Sequence, residues 1–348
     1  MLCYDGRLVN ELRAAGARTH LIGAARRSRP WLTSVAQWRL RRVLRESAID
    51  LVVHHSLWPA ALFGRTCARS GVRSVLWIHG RFDPSHWTAR LAMRARPERV
   101  VAVSIDTLSQ VRSWQPNLPA RTIYAPFPRV MGATGATRAE IRRELATPED
   151  HKVIIQVSRI EEGKGHAVHL TALGDLMDRG DWTAWIVGGA QRPAEQALMD
   201  RLRSMVRGLG IEQRVRFVGE RSDVADVLRA ADIFCQPNTH PEGLGLVFLE
   251  AACCNLPVVT SAIGGIVEIL DDRCAVLLPP RGTAEVAAAL RRLIESDSLR
   301  RTLGQSGQHR VRALCDPAIQ MAKLANYFLL REDTPAADDL QHGWNASA

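Results

Sequence analysis

Short buried apolar segments alternate with amphipathic helical segments along most of the 348 residues. A strand, a helix and a further strand in succession build a parallel sheet that is covered by helices. The predicted strands are Thr19–Ile22, Leu51–His54, Val72–Ile78, Val100–Val103 and Thr122–Tyr124 in the first half, and Val153–Val157, Trp182–Val187, Val215–Val218, Ile233–Cys235, Val258–Thr260 and Ala275–Leu278 in the second. No apolar run reaches the roughly 18 residues of a membrane span. The pattern therefore predicts an α/β fold.

A break in this pattern divides the chain into two domains. Segment 126–136 is rich in proline, glycine and small residues, and Thr137 with Glu140 then forms the capping box of a new helix. Each domain is predicted to be a Rossmann-like, doubly wound unit whose ligands bind beyond the carboxyl ends of its strands, and two such units facing each other form a cleft. We place the N-terminal domain at 1–129, the C-terminal domain at 130–331 and a flexible polar tail at 332–348.

The positive charge is concentrated in the first domain. Residues 1–129 contain 21 Arg and no Lys against 7 acidic residues, whereas the whole chain has a net charge of +10. Such asymmetry indicates an anionic surface or an anionic substrate. An arginine-rich codon usage explains it equally well, because 43 of the 46 basic residues are Arg. A nucleic-acid-binding protein also fits the charge, but aromatic residues are few and no nucleic-acid-binding motif is present, so no nucleic-acid partner is predicted.

The cysteines and the N-terminus favour a cytoplasmic location. The seven cysteines are odd in number and lack metal-ligand spacing, so we expect them to be reduced. The first residues do not show a basic segment followed by an apolar run and a cleavage site. Residues 26–42 form an arginine-rich stretch with two tryptophans. This stretch predicts peripheral attachment to the inner, anionic face of the membrane.

The first candidate site is the loop that follows the strand Val153–Val157. Arg159 and Lys164 lie five positions apart in a loop loosened by Gly163 and Gly165, directly before a helix. The amides of a helix N-terminus and two cations suit a diphosphate. Arg can donate hydrogen bonds to two phosphate oxygens at once, and Lys adds a point charge. A surface loop with two solvated cations is the alternative.

The second candidate site is the segment 240–251. Glu242 and Glu250 lie eight residues apart, with a glycine-rich turn after the first and a helix that carries the second. The turn lets backbone amides approach a ligand closely. Glu250 lies in an apolar segment, so we expect its carboxylate to have a partner.

These motifs together resemble glycosyltransferase family 4, the group 1 transferases, which have the two-domain GT-B fold. The resemblance covers about residues 150–330 closely and 5–129 more loosely. It is carried by Arg159, Lys164, Glu242, Glu250, Thr260, Gly264, Gly265 and Glu268, and by the segments Arg216–Gly219 and Val224–Gln236.

The resemblance implies a role for each motif residue. Arg159 and Lys164 would bind the diphosphate leaving group, Glu242 the transferred sugar and Glu250 the ribose hydroxyls. His79 would contact the donor sugar near the reacting carbon, whereas His54 and His55, at the end of a neighbouring strand, are equally well explained as structural. Further substrate-binding positions are the backbone of Gly243, Leu244, Gly245, Leu246 and Val247, and the loop Glu220–Arg221 beside the base.

The resemblance implies a retaining transfer of a hexosyl group from a nucleoside diphosphate sugar to a glycan or lipid-linked acceptor. The departing phosphate would be stabilised by the two cations and would accept the acceptor's proton on the same face. No Asp-x-Asp cluster accompanies the donor motifs, so neither a metal nor another cofactor is expected. A non-catalytic or truncated scaffold, a sugar-nucleotide epimerase and a nucleic-acid-binding protein are the alternatives.

The beginning of the chain departs from the family pattern. Relatives begin with a strand and a glycine-rich loop, whereas this chain enters its first helix almost directly after Gly6. We expect this missing strand to leave a gap in the first sheet and the natural protein to start upstream. Two smaller departures are Ala125-Pro126 in place of Asn-Gly and the sequence Asp271–Cys274 in place of a glycine-bearing loop.

Overall fold

A computed structural model describes residues 5–127 and 134–329 of the chain. The chain forms two compact units, one containing the residues up to Ile123 and those from Phe328 onwards, the other containing Tyr124–Tyr327. The predicted boundary between residues 129 and 130 and the predicted tail 332–348 lie outside the described residues. Every helix within the described ranges is too short or too polar to cross a bilayer.

The first unit contains a parallel sheet whose described strands follow each other in chain order. The strands are β1 Leu51–His55, β2 Arg73–Ile78, β3 Arg99–Ala102 and β4 Ala120–Thr122. The helices are α1 Arg7–Ala14, α2 Pro30–Glu46, α3 Leu57–Arg69, α4 Trp87–Arg94 and α5 Ile105–Trp114. β3 is buried along its whole length, as expected for a strand covered by helices on both faces.

The predicted strand Thr19–Ile22 is not among the described strands of this sheet, and only Leu21 within it forms a β-bridge. Ile22 instead packs into an apolar cluster with Ala36, Leu40 and Phe63. The four described strands are contiguous, and the gap expected from a missing first strand stays a prediction, because residues 1–4 lie outside the described ranges. The strand prediction failed because a short apolar run can serve a helix-packed loop as well as a strand.

The second unit contains a six-stranded parallel sheet in the order β10-β9-β8-β5-β6-β7. Its strands are β5 Lys152–Val157, β6 Trp182–Val187, β7 Val215–Gly219, β8 Ile233–Gln236, β9 Val258–Ser261 and β10 Ala275–Leu278. Strand order runs outwards in both directions from β5, so the sheet is doubly wound and its direction changes between β5 and β8. Ligands of such sheets bind at the carboxyl ends of the strands at this switch point.

Helices cover both faces of the second sheet. The helices of this unit are α6 Arg138–Glu144, α7 His166–Gly174, α8 Pro193–Gly208, α9 Val224–Ala230, α10 Leu246–Cys253, α11 Ile266–Ile269, α12 Thr283–Glu295 and α13 Asp297–Leu314. They are followed by α14 Pro317–Phe328, whose last residue belongs to the first unit. The predicted capping box of α6 is confirmed, with Thr137 and Glu140 bonded to each other's backbone amides. α13 was not predicted and contains Gly304, where a Cβ atom would come within 2.0 Å of the Asn255 carbonyl oxygen.

Asp232 ties α6 to the sheet of the second unit. Its carboxylate accepts hydrogen bonds from Arg138 at 2.7 Å, from Arg142 at 2.6 Å and from the amide of Val153 at 2.7 Å. Arg142 is itself buried. Loss of this carboxylate therefore leaves a buried guanidinium without its counter-ion.

We predict that Asp232→Ala lowers the free energy of unfolding of this unit by about 3 kcal/mol, the usual cost of breaking a buried ion pair. Urea denaturation measures the change. Asp178→Ala is the matched control, because Asp178 forms an exposed pair with Arg291 and its removal is expected to change little. Equal effects of the two substitutions would contradict the assignment of Asp232 as an anchor.

Candidate functional site

The two predicted motifs meet at the switch point of the second sheet. The loop after β5 and the segment after β8 are joined by a hydrogen bond from the Thr239 amide to the Gly163 carbonyl oxygen at 3.0 Å. Gly165 has a left-handed φ of 71°, and a Cβ atom there would come within 1.8 Å of the Pro237 carbonyl oxygen. Only glycine fits this conformation and this approach.

Lys164 and Glu242 form an ion pair at the centre of this site. Their side-chain atoms Nζ and Oε2 lie 2.7 Å apart, and both side chains are mostly buried. Glu242 Oε1 accepts a hydrogen bond from Asn238 Nδ2 at 2.5 Å. The backbone of Glu242 is held by Gly264, where a Cβ atom would lie 2.5 Å from the Glu242 carbonyl oxygen. The structure thus brings together two residues that are 78 positions apart in the sequence.

Arg159 lies in the same loop as Lys164. Its guanidinium forms an ion pair with Glu161, and the arginine side chain is 55% exposed. α7 begins at His166, two residues after Lys164. A cavity of about 360 Å³ opens next to this loop and is lined by Glu161, Gly165 and His166 among others.

The glycine-rich turn leads from Glu242 into α10. Gly245 has a left-handed φ of 76°, and a Cβ atom there would overlap the Phe248 ring at 2.5 Å. Within the turn Gly243 and Leu244 are buried, and at the start of α10 Leu246 is 51% exposed and Val247 is half-buried.

Glu250 lies on α10 and is half-buried. Burial raises the pKa of the Glu250 carboxyl above its ordinary value. The partner expected for this carboxylate is not found, since no hydrogen bond or ion pair to it is made within residues 5–127 and 134–329. The side chain is not fully enclosed, so water can solvate it, and the expected partner stays a prediction.

The loop after β7 is held by internal ion pairs. Arg221 donates to Asp223 Oδ1 at 2.8 Å and to Glu144 Oε2 at 3.2 Å, and these hydrogen bonds raise the pKa of Arg221. Glu220 accepts a hydrogen bond from Gln191 at 3.4 Å. In this conformation Arg221 links α6 to α9, and its role beside a base stays a prediction.

His79 in the first unit follows β2 and belongs to an aromatic cluster. Its Nε2 lies 3.1 Å from His55 Nδ1, and its ring stacks on Trp77 at a centroid distance of 5.0 Å. The pKa of His79 is lowered to about 4, first by desolvation and then by the neighbouring His55. The imidazole is therefore neutral at pH 7.

Gln236 and Asn238 are parts of the site that the sequence analysis did not select. Both are buried, and both donate to Glu242. The signal that was available is their position, because polar residues at the end of an otherwise apolar strand face the ligand edge of a parallel sheet.

Two family models match the chain. The model described as "Glycosyl transferases group 1" matches residues 137–310, which is half of the chain, and the model described as "Glycosyltransferase Family 4" matches residues 2–128. The chain belongs to the group 1 glycosyltransferases.

Curated relatives of this group 1 glycosyltransferase include enzymes that act on inositol compounds. A D-inositol 3-phosphate glycosyltransferase of Kineococcus radiotolerans is 32% identical over 236 residues, which are 63% of this chain and 54% of the relative. A GDP-mannose-dependent monoacylated alpha-(1-6)-phosphatidylinositol monomannoside mannosyltransferase of Corynebacterium glutamicum is 25% identical over 312 residues, 82% of this chain and 78% of the relative. The chain thus spans about half the length of the first of these relatives.

Solved structures share the fold of the chain. HepE of Anabaena in complex with UDP and glucose superimposes with a TM-score of 0.82 at 22% identity, over 93% of this chain and 89% of HepE. WaaG, a glycosyltransferase involved in lipopolysaccharide biosynthesis, gives a TM-score of 0.68 at 18% identity, over 89% and 86% of the two chains. At these identities the similarity shows the GT-B architecture.

Two buried histidines are hydrogen-bonded near the loop of this group 1 glycosyltransferase that carries Arg159 and Lys164. His166 Nε2 lies 3.1 Å from Ser158 Oγ, and His169 Nδ1 lies 2.8 Å from Gln156 Oε1. Gln156 in turn donates to the Lys164 carbonyl oxygen at 2.8 Å. Burial lowers the pKa of His166 to about 4 and that of His169 to about 3.

We predict that the free energy of unfolding falls as the pH drops from about 6.5 to about 4. In this range the histidines of the unfolded chain bind protons, whereas the buried histidines of the folded chain stay neutral. The stabilisation is complete above the unfolded pKa and is lost as the pH falls towards the folded values. Thermal unfolding across this pH range measures it. His169→Gln is expected to flatten the curve, whereas His309→Gln, at an exposed position on α13, is expected to leave it unchanged; the same curve for all three proteins would contradict the prediction.

Proposed function

We propose that the protein transfers a hexosyl group from a nucleoside diphosphate sugar to an acceptor hydroxyl with retention at the anomeric carbon. The observation that carries the proposal is the Lys164–Glu242 pair at the carboxyl ends of β5 and β8. There a cation suited to a phosphate lies beside a carboxylate suited to a sugar hydroxyl, at the switch point where open parallel sheets bind ligands.

The cation loop supplies the diphosphate side of this proposal. Arg159 and Lys164 are paired with Glu161 and Glu242, so the loop carries no excess charge in the present conformation. A diphosphate brings more negative charge than a single carboxylate and competes for both cations. Charge that develops on the phosphate during departure of the sugar is stabilised by these cations and by the first amides of α7.

The two carboxylates supply the sugar side. Glu242 Oε2 lies beside Lys164 and can accept a hydrogen bond from a sugar hydroxyl. Glu250 is half-buried and has no partner in the part of the chain that the structure describes, which suits the ribose hydroxyls. The backbone amides of Gly243–Val247, in the turn and the first two residues of α10, add neutral donors. We retain His79 as a proposed contact of the transferred sugar, since a neutral imidazole can bond to a hydroxyl without adding charge. The leaving phosphate accepts the acceptor's proton.

The relatives support the class of donor and acceptor. One relative is named for GDP-mannose, and HepE was solved with UDP-glucose. The relatives' names also give a polar inositol phosphate and a phosphatidylinositol mannoside as acceptors. We therefore propose a nucleoside diphosphate hexose as donor and a glycan or lipid-linked hydroxyl as acceptor, and we keep the non-catalytic scaffold as the alternative.

We expect Lys164→Ala to reduce transfer by about tenfold or more, because a charge-assisted contact to the diphosphate is lost. Steady-state kinetics with UDP-glucose and GDP-mannose measure the change. Lys323→Ala is the control, because this exposed lysine lies on α14. Unchanged kinetics of the Lys164→Ala protein would remove the residue from the mechanism, and a wild-type protein without any turnover would favour the scaffold.

We propose that the reaction needs neither a metal nor another cofactor. Arg159 and Lys164 provide the positive charge that a divalent cation provides in other phosphate sites. Transfer is expected to continue at its full rate in excess chelator. A complete loss of activity that Mg²⁺ or Mn²⁺ restores would contradict this proposal.

We also propose that α2 attaches the protein to an anionic membrane surface on the cytoplasmic side. Its outer face carries Trp31, Val35 and Trp38, which are 61%, 45% and 56% exposed, followed on the same face by Arg42 and Arg45. The opposite face is buried. Tryptophan favours the bilayer interface, and each arginine near an anionic leaflet contributes about 1 kcal/mol.

We expect the protein to float with anionic phosphatidylglycerol vesicles and not with neutral phosphatidylcholine vesicles. Replacing Trp31 and Trp38 with Ser is expected to abolish flotation with the anionic vesicles, because the interfacial anchors are lost. Trp58→Ser, which changes a partly exposed tryptophan on α3, is the control. Equal flotation with both kinds of vesicle would contradict membrane attachment through charge.

A further inference from the structure

Two buried amide side chains lie directly beneath Glu242. Gln236 ends β8 and is 0% exposed, and Asn238 follows it at 2% exposure. Amide groups at such depth are costly unless they are hydrogen-bonded. Their partners therefore indicate why the sequence places them there.

Both amides direct N–H groups at the same carboxylate oxygen. Asn238 Nδ2 lies 2.5 Å and Gln236 Nε2 lies 3.3 Å from Glu242 Oε1. Gln236 Nε2 also donates to Asn238 Oδ1 at 3.0 Å, which fixes the orientation of the Asn238 amide. The other carboxylate oxygen, Oε2, lies 2.7 Å from Lys164 Nζ.

The amides are themselves held in place. The backbone carbonyl oxygen of Gln236 accepts two hydrogen bonds, one from the Thr260 hydroxyl at 2.9 Å and one from the backbone N–H of Asn238 at 2.9 Å. The side-chain oxygen of Gln236 is buried and has no hydrogen-bond partner among the described residues. The hydrogen bonds of the Gln236 side chain are therefore those that its N–H group donates to Asn238 and Glu242.

We infer that Gln236 and Asn238 are positioning residues that hold Glu242 with Oε1 inward and Oε2 presented to Lys164 and to a hydroxyl of the transferred sugar. This inference rests on the proposed function. Neutral amides suit the task, because they orient an ionised carboxylate without neutralising its charge. When Lys164 turns to the diphosphate, the amides keep Glu242 in place.

The test is a double-mutant cycle of Asn238→Ala and Glu242→Ala. The readouts are kcat and KM for UDP-glucose and GDP-mannose, together with calorimetric binding of UDP and GDP. If Asn238 acts through Glu242, Asn238→Ala lowers kcat by about tenfold or more, the double variant is no slower than Glu242→Ala, and nucleoside diphosphate affinity changes less than about twofold.

Gln320→Ala is the matched control. Gln320 is equally buried, donates one hydrogen bond to the Leu314 carbonyl oxygen and also has a buried oxygen without a partner among the described residues, but it lies on α14. We expect this variant to keep the wild-type kcat. Losses that multiply in the Asn238/Glu242 cycle, or an equal loss of kcat in Gln320→Ala, would overturn the inference.

The proposed function and this inference fail separately. A wild-type protein that turns over neither donor removes the proposed function and with it the sugar-contact role of Glu242. The contact between Asn238 and Glu242 is then tested by the melting temperatures of the same four proteins. Decreases that are less than additive support the contact, and additive decreases overturn it.

Discussion

The candidate site depends on a backbone contact between two loops at the centre of the second sheet. Gly165 lies against the Pro237 carbonyl oxygen, and any side chain at position 165 would overlap that atom. The contact holds the loop after β5 on the segment after β8. Because Lys164 precedes the glycine and Asn238 follows the proline, their side chains both reach Glu242. A single steric constraint thus assembles a cation, an amide and a carboxylate from three places in the chain.

The site is electrically balanced in its present conformation. Lys164 is paired with Glu242 and Arg159 with Glu161, so each cation already has a counter-ion. A ligand that binds here replaces existing ion pairs with its own contacts. Its binding free energy therefore reflects the difference between the new contacts and the ion pairs that are lost. Such an exchange favours ligands that carry both an anion for the cations and hydroxyl groups for the released carboxylates. A sugar linked to a diphosphate has both features.

Much of the second unit was predictable from the sequence, and the reason is the parallel sheet. Strands buried on both faces are continuous apolar runs, so the fully buried strand Trp182–Val187 was predicted with its observed ends. Lys164 and Glu242 were selected as site residues because each follows a predicted strand in a glycine-containing loop and matches a motif of the family. The hydrogen bonds of Asn238 could not be read from the sequence, because they depend on the loop conformation. The same holds for the bond between Arg221 and Glu144, which are 77 residues apart.

The path of the chain between the two units constrains how the protein folds. The chain leaves the first unit after Ile123 and returns to it at Phe328, whose ring meets Trp77 edge-on and whose carbonyl oxygen accepts a hydrogen bond from Arg73. During synthesis Trp77 and Arg73 emerge long before this partner. The second unit is continuous in sequence and can complete its contacts first. The closing contacts of the first unit therefore form late, and a fragment that ends at Ile123 lacks them.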